Sequence, residues 1–146
     1  MQDGQPITVT AAVPTALSNL QVSTRSPNQL PGFTRSKIVQ GGPNQYFNPL
    51  AYSLPGGLEL GSVGRDTLIG PGLAKWDFGL TKNTSLTERL RLQFRGEMFN
   101  LLNRPNFATP SSSVFSGSGT RVGSAGTITS TVSTSRQIQF GMKLLF

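Results

Sequence analysis

Asp77 in AKWDFGLTKN and Glu97 in RLRLQFRGEMFN are the carboxylates that could be proposed as an acid/base pair. A working acid/base pair needs one raised pKa, and a basic neighbour lowers both. Lys75, Arg91 and Arg95 lie close by in the same two segments, which favours a structural role for the pair. The chain has no cysteine and no histidine, so thiol nucleophiles, Cys/His zinc sites and histidine bases are excluded. GSGTRVG (residues 117–123) brushes against a dinucleotide fingerprint, but its third glycine is misplaced. GPGLAKW lacks the Gly-Lys-Ser/Thr ending of a phosphate loop, and Asn83-Thr84-Ser85 is a glycosylation sequon only in a eukaryotic secretory setting. These residues predict no enzyme, no cofactor and no metal.

The elements that carry these residues are unevenly spread. Gly and Pro number 17 and 10 of 146 residues, and the hydrophobic fraction is 36%, low for a packed core of this size. Residues 1–73 read as loop, punctuated by Pro6, Pro14, Pro27, Pro31, Pro43, Pro49, Pro55 and Pro71, with one short strand near Pro6 to Val13. From Ala74 the pattern changes to strict alternation. Trp76, Phe78 and Leu80 alternate with Lys75, Asp77 and Thr81; Leu90, Leu92, Phe94 and Met98 alternate with Arg91, Arg95 and Glu97. The last segment, RQIQFGMKLLF, repeats it, with Ile138, Phe140, Met142, Leu144 and Phe146 against Gln137, Gln139 and Lys143. Period-two apolarity is the mark of a strand between unlike surroundings. Residues 88–102 are also rich in helix formers, but Leu90, Leu92 and Phe94 would wrap around a helix. Strands are therefore expected at about 74–83, 89–101 and 136–146, the last pairing with the second across a long loop, 102–135.

Charge suggests a register for the first hairpin. If it turns at Leu86, Phe78 faces Phe94, Leu80 faces Leu92, Trp76 covers Gly96, Asp77 meets Arg95 and Lys75 meets Glu97; a slip of two either way opposes like charges. The fold class expected is all-β, an antiparallel meander. Too few other apolar segments exist to cover Trp76, Phe78, Leu80, Leu90, Leu92, Phe94, Ile138, Phe140 and Met142, so these are expected to face lipid. Lys75, Asp77, Arg91, Arg95, Glu97 and Lys143 are expected to face a barrel lumen. Strand lengths near 9 to 11 residues, one short turn and one long loop fit an outer-membrane barrel with periplasmic turns and extracellular loops. The formal charge of +7 raises an alternative, a basic β-sheet binding nucleic acid or another polyanion. That alternative suffers because the aromatics and the arginines fall on opposite faces.

The last eight residues, QFGMKLLF, match the terminal assembly signal of outer-membrane proteins, with Gln139, Gly141, Leu144 and Phe146 in its defining places. YFNPLAYSLP, GRDTLIGPGLAKWDFGLTKN, LTERLRLQFRGEMFNLLNRPNF and ITSTVSTSRQIQFGMKLLF resemble the closing segments of TonB-dependent receptors of the Oar-like type, which carry a carboxypeptidase-regulatory-like domain. The resemblance spans roughly residues 4–146. It implies the last strands of a receptor barrel in the cell outer membrane, with residues 1–73 as the end of one strand plus a long extracellular loop. The implied partners are the other barrel strands and a plug, outer-membrane lipid and the barrel assembly machinery, not nucleic acid. Neither a signal peptide nor a plug is recognisable, so the segment is expected to be a fragment that does not transport alone.

Overall fold

The computed structural model describes residues 1–13, 24–57 and 59–146. Pro14 and its neighbours through residue 23, read above as loop, lie outside the described residues. The strands are β1 (Pro6–Ile7), β2 (Thr10–Ala12), β3 (Thr24–Arg25), β4 (Asn28–Gln29), β5 (Tyr52–Ser53), β6 (Leu68–Ile69), β7 (Phe78–Ser85), β8 (Arg91–Phe99), β9 (Ser113–Phe115) and β10 (Gln137–Leu145). One short helix, α1 (Arg35–Ile38), and a 3-10 turn at Pro49–Ala51 are the helical elements described. The chain packs as two units. A sheet unit comprises Met1–Gln2, Leu73–Asn106 and Thr131–Phe146, and a loop unit comprises Asp3–Gly72 and Phe107–Ser130.

In the loop unit, prolines and glycines keep every strand to two or three residues, yet the unit has a core. Ile7, Val9, Ala11, Phe47, Tyr52, Leu68, Val114 and Phe115 are buried together, and the Phe47 and Tyr52 rings meet edge to face at 6.1 Å. Stretches expected to be loop thus supply a core of their own, separate from the apolar face of the alternating strands. Its members come one or two at a time from separate turns and so leave no periodic trace. Parallel pairing of β2 with β9 brings the two distant stretches of this unit together. Gly126 is held at φ 80°, and a Cβ there would lie 2.4 Å from the Phe47 carbonyl oxygen, so only glycine fits. Arg121 fixes the same region by donating to the Pro49 and Tyr52 carbonyls, with its guanidinium over the Phe115 ring.

In the sheet unit, β8 lies in the middle, antiparallel to β7 on one side and β10 on the other. Arg91–Phe99 is therefore a strand, not a helix, and the strand expected at 74–83 runs instead over Phe78–Ser85. The hairpin register differs from the expected one. Phe78 pairs with Met98, Leu80 with Gly96, Thr81 with Arg95 and Ser85 with Arg91. Asp77 does not face Arg95, Phe78 does not face Phe94, and Lys75 does not face Glu97. The turn explains the shift. Leu86 and Thr87 N–H groups donate to the Leu90 carbonyl, and Leu90 N–H donates to the Thr87 hydroxyl, so the chain reverses around Glu88 instead of Leu86. The charges are satisfied between residues two apart in the chain instead: Lys75 Nζ lies 3.0 Å from Asp77 Oδ2, and Arg95 Nε lies 3.5 Å from Glu97 Oε1. Exposed pairs contribute only about 0.2–1 kcal/mol each, too little to override the turn. The slip is an even number of residues, so every side chain keeps its face.

Candidate functional site

Alternation on three adjacent strands builds two unlike faces. On one, Phe78, Met98 and Ile138 share a row, followed by Leu80, Gly96 and Phe140, and then by Lys82, Phe94 and Met142. Leu92 and Leu144 share the next row with Thr84. Gly96 is covered by Phe140, whose ring atoms would lie 3.4 Å from an added Cβ, and not by Trp76 as the sequence reading had it. The Phe140 ring also stacks on Phe94, centroids 5.9 Å apart. This face is exposed along its outer strands, Leu80 by 53%, Phe140 by 68% and Met142 by 73%, while Leu92, Phe94 and Met98 on the central strand are partly buried. Trp76, also exposed, precedes β7, and half-buried Leu90 precedes β8. Lys82 and Thr84 fall on the same apolar face; Thr84, expected to open the short turn to Glu88, is instead a strand residue paired with Leu92.

The opposite face is polar and internally bonded. Gln93 Nε2 donates to Asn83 Oδ1 at 2.9 Å, and Gln139 donates to the Glu97 carboxylate across the β8–β10 pair. Arg91, Arg95, Glu97 and Lys143 all stand on this side, while Lys75 and Asp77 precede β7. Gly79 pairs with Glu97 and Gly141 with Arg95, and both glycines face open space. Glu97 therefore stands between Gln139 and a bare backbone, with Arg95 one step along its own strand. Asp77 is drawn to a different partner, Asn100 N–H at 2.9 Å, so the two carboxylates are not joined in one site.

Three asparagines spaced three apart, Asn100, Asn103 and Asn106, close the end of the sheet opposite the turn. Asn100, 2% exposed, donates through its amide to the Arg104 and Thr134 carbonyls and accepts the Arg104 N–H. Asn103 accepts the Arg136 N–H at 3.0 Å. Asn106, 1% exposed, accepts the Ala74 N–H at 2.8 Å and donates to the Ser133 hydroxyl. Asn100 and Asn103 adopt φ of 50° and 49°, a left-handed conformation that asparagine tolerates better than most residues. Together they bind the segment before β7, the end of β8 and the segment before β10. Strand alternation does not reveal this role for the asparagines of NLLNRPNF. The triple spacing, on residues suited to left-handed backbone, was the available signal.

The terminal residues Leu144 and Phe146 lie on the apolar side of the alternation, and Gln139 and Gly141 on the polar side. Phe146 is fully exposed. The family model described as an outer membrane beta barrel domain matches residues 1–139. No curated protein and no solved structure matches the chain.

Proposed function

Because this chain belongs to the outer membrane β-barrel domain family, and so to the outer membrane, we propose that β7, β8 and β10 form part of the wall of a TonB-dependent receptor of the Oar-like type. The observation that carries the reading is the two-faced sheet: an apolar face three strands wide, exposed along β7 and β10, backed by a bonded polar face. Lipid takes the apolar rows and the lumen takes Arg91, Arg95, Glu97 and Lys143. The free edges of β7 and β10 take neighbouring barrel strands, since only closure satisfies edge groups in a bilayer. Gln139, Gly141, Leu144 and Phe146 present the assembly signal to the barrel assembly machinery. In such receptors uptake is driven by an inner-membrane complex acting through a plug, so this chain contributes wall and loop, not chemistry. This reading leaves nucleic acid out as a partner: Arg91 and Arg95 stand on the face opposite Phe78, Phe94 and Phe140, so neither arginine can flank a base stacked on those rings.

The test uses the polypeptide carrying this sequence, in intact outer membranes. Single cysteines at Leu80, Phe140 and Met142 should react with a bilayer-soluble maleimide, and those at Thr81, Gln139 and Lys143 with a small water-soluble one. Reversal or loss of that alternation would defeat the wall reading. For the receptor assignment, the polypeptide should crosslink to TonB in energised cells; clean alternation without TonB crosslinks would leave a barrel of another kind.

A further inference from the structure

The apolar face carries one charge among the described strand positions. Lys82 on β7 has Phe94 as its cross-strand neighbour and Met142 beyond, with Leu80 before it and Thr84 after it on the same strand. No carboxylate shares this face, so nothing in the sheet neutralises the ammonium. All of β7 is exposed, and nothing among the described residues covers Lys82.

We propose that Lys82, with the Thr84 hydroxyl, binds the phosphate of a phospholipid headgroup in the leaflet nearer the β7–β8 turn. This inference rests on the apolar face being the lipid face. An ammonium offers three donors and no acceptor, and a phosphate is the converse. The distance suits the match. Lys82 precedes Leu86 by four residues, about 13 Å along a strand, and so about 10 Å of depth at a tilt of ~40°. A lysine stem lies along apolar surface while its head reaches toward the interface. Thr84 lies between Lys82 and the turn on the same face, placing a second donor on the path the ammonium takes. The polar notch is confined to β7, because β8 and β10 present Leu92, Phe94, Met142 and Leu144 at the same levels.

Native mass spectrometry of the detergent-purified polypeptide carrying this sequence, titrated with phosphatidylglycerol, reads the contact directly. Lys82→Gln should lower lipid retention about fivefold, Lys82→Arg should restore it, and Thr84→Val should lower it less. Leu80→Cys and Met142→Cys, labelled in membranes with the bilayer-soluble maleimide, test the premise separately. Labelled cysteines with equal phosphatidylglycerol retention in wild type and Lys82→Gln would overturn this inference alone. Unlabelled cysteines would overturn the lipid-face reading and this inference with it. If Lys82→Glu retains as much phosphatidylglycerol as wild type, the phosphate assignment is wrong.

Discussion

Asn100 combines a left-handed backbone with an amide that serves Arg104 and Thr134, so its side chain and its conformation are both in use. Replacing it by alanine leaves buried peptide groups without partners, at about 1–3 kcal/mol each. Asn100→Ala should therefore lower the urea midpoint of the folded protein sharply. Asn100→Gly relieves φ but restores no hydrogen bond, and it should remain nearly as damaging; a near-normal glycine variant would show that conformation alone matters. Tyr52 gives a pH test in the loop unit. Burial pushes its phenol from 10.0 up to about 12. Since the folded pKa is the higher one, this contribution is intact below pH 10 and is lost as pH rises through 12, a fall of about 2 kcal/mol. Tyr52→Phe should flatten that part of the alkaline unfolding curve, followed by near-ultraviolet circular dichroism. Phe146 is different, because it touches little: by packing, Phe146→Ala should be mild. If it is read as an assembly signal, the same change, but not Leu145→Ala, should sharply reduce the heat-modifiable form in outer-membrane blots. Equal levels would remove that role.

At the scale of elements, β7, β8 and β10 were legible because alternation is a local property of the sequence. Phe78, Leu80, Leu92, Phe94, Phe140 and Met142 share one face whichever even register is chosen. The register itself was not legible. It is set by three hydrogen bonds at Leu86, Thr87 and Leu90, a turn geometry that strand alternation does not encode. The observed pairing is testable in a chain that has no other cysteine. Thr81→Cys with Arg95→Cys should oxidise to a disulfide, because paired strand residues lie within disulfide reach. Asp77→Cys with Arg95→Cys should not, since Asp77 lies four residues, about 13 Å, away along the strand. Crosslinking of the second pair in preference to the first would restore the Leu86-centred hairpin.

Across the whole molecule, the barrel class and the outer membrane could be read from the sequence, while the core of the loop unit could not. Val9, Phe47, Tyr52, Leu68 and Val114 are separated by turns, and only their meeting in space makes them a core. The sheet unit has no comparable buried apolar cluster among its described residues; its large apolar side chains are exposed along β7 and β10 and only partly buried on β8. Expressed alone in water, the chain should aggregate through that face and the two open edges, or require detergent. A monodisperse soluble monomer at micromolar concentration, by analytical ultracentrifugation, would refute a lipid-facing sheet.

The parallel pairing of Thr10 with Ser113 also has a consequence in time. Closing a chain loop of about 100 residues costs about 2 kcal/mol more than closing one of about ten, so this pairing forms late. Synthesis runs from the N-terminus, and the β7–β8 hairpin is finished before β9 has been made. Until β9 arrives, Val9 and Ala11 wait without the strand that will cover them. The loop unit thus closes only after β9 has been made, and β10 completes the sheet unit later still.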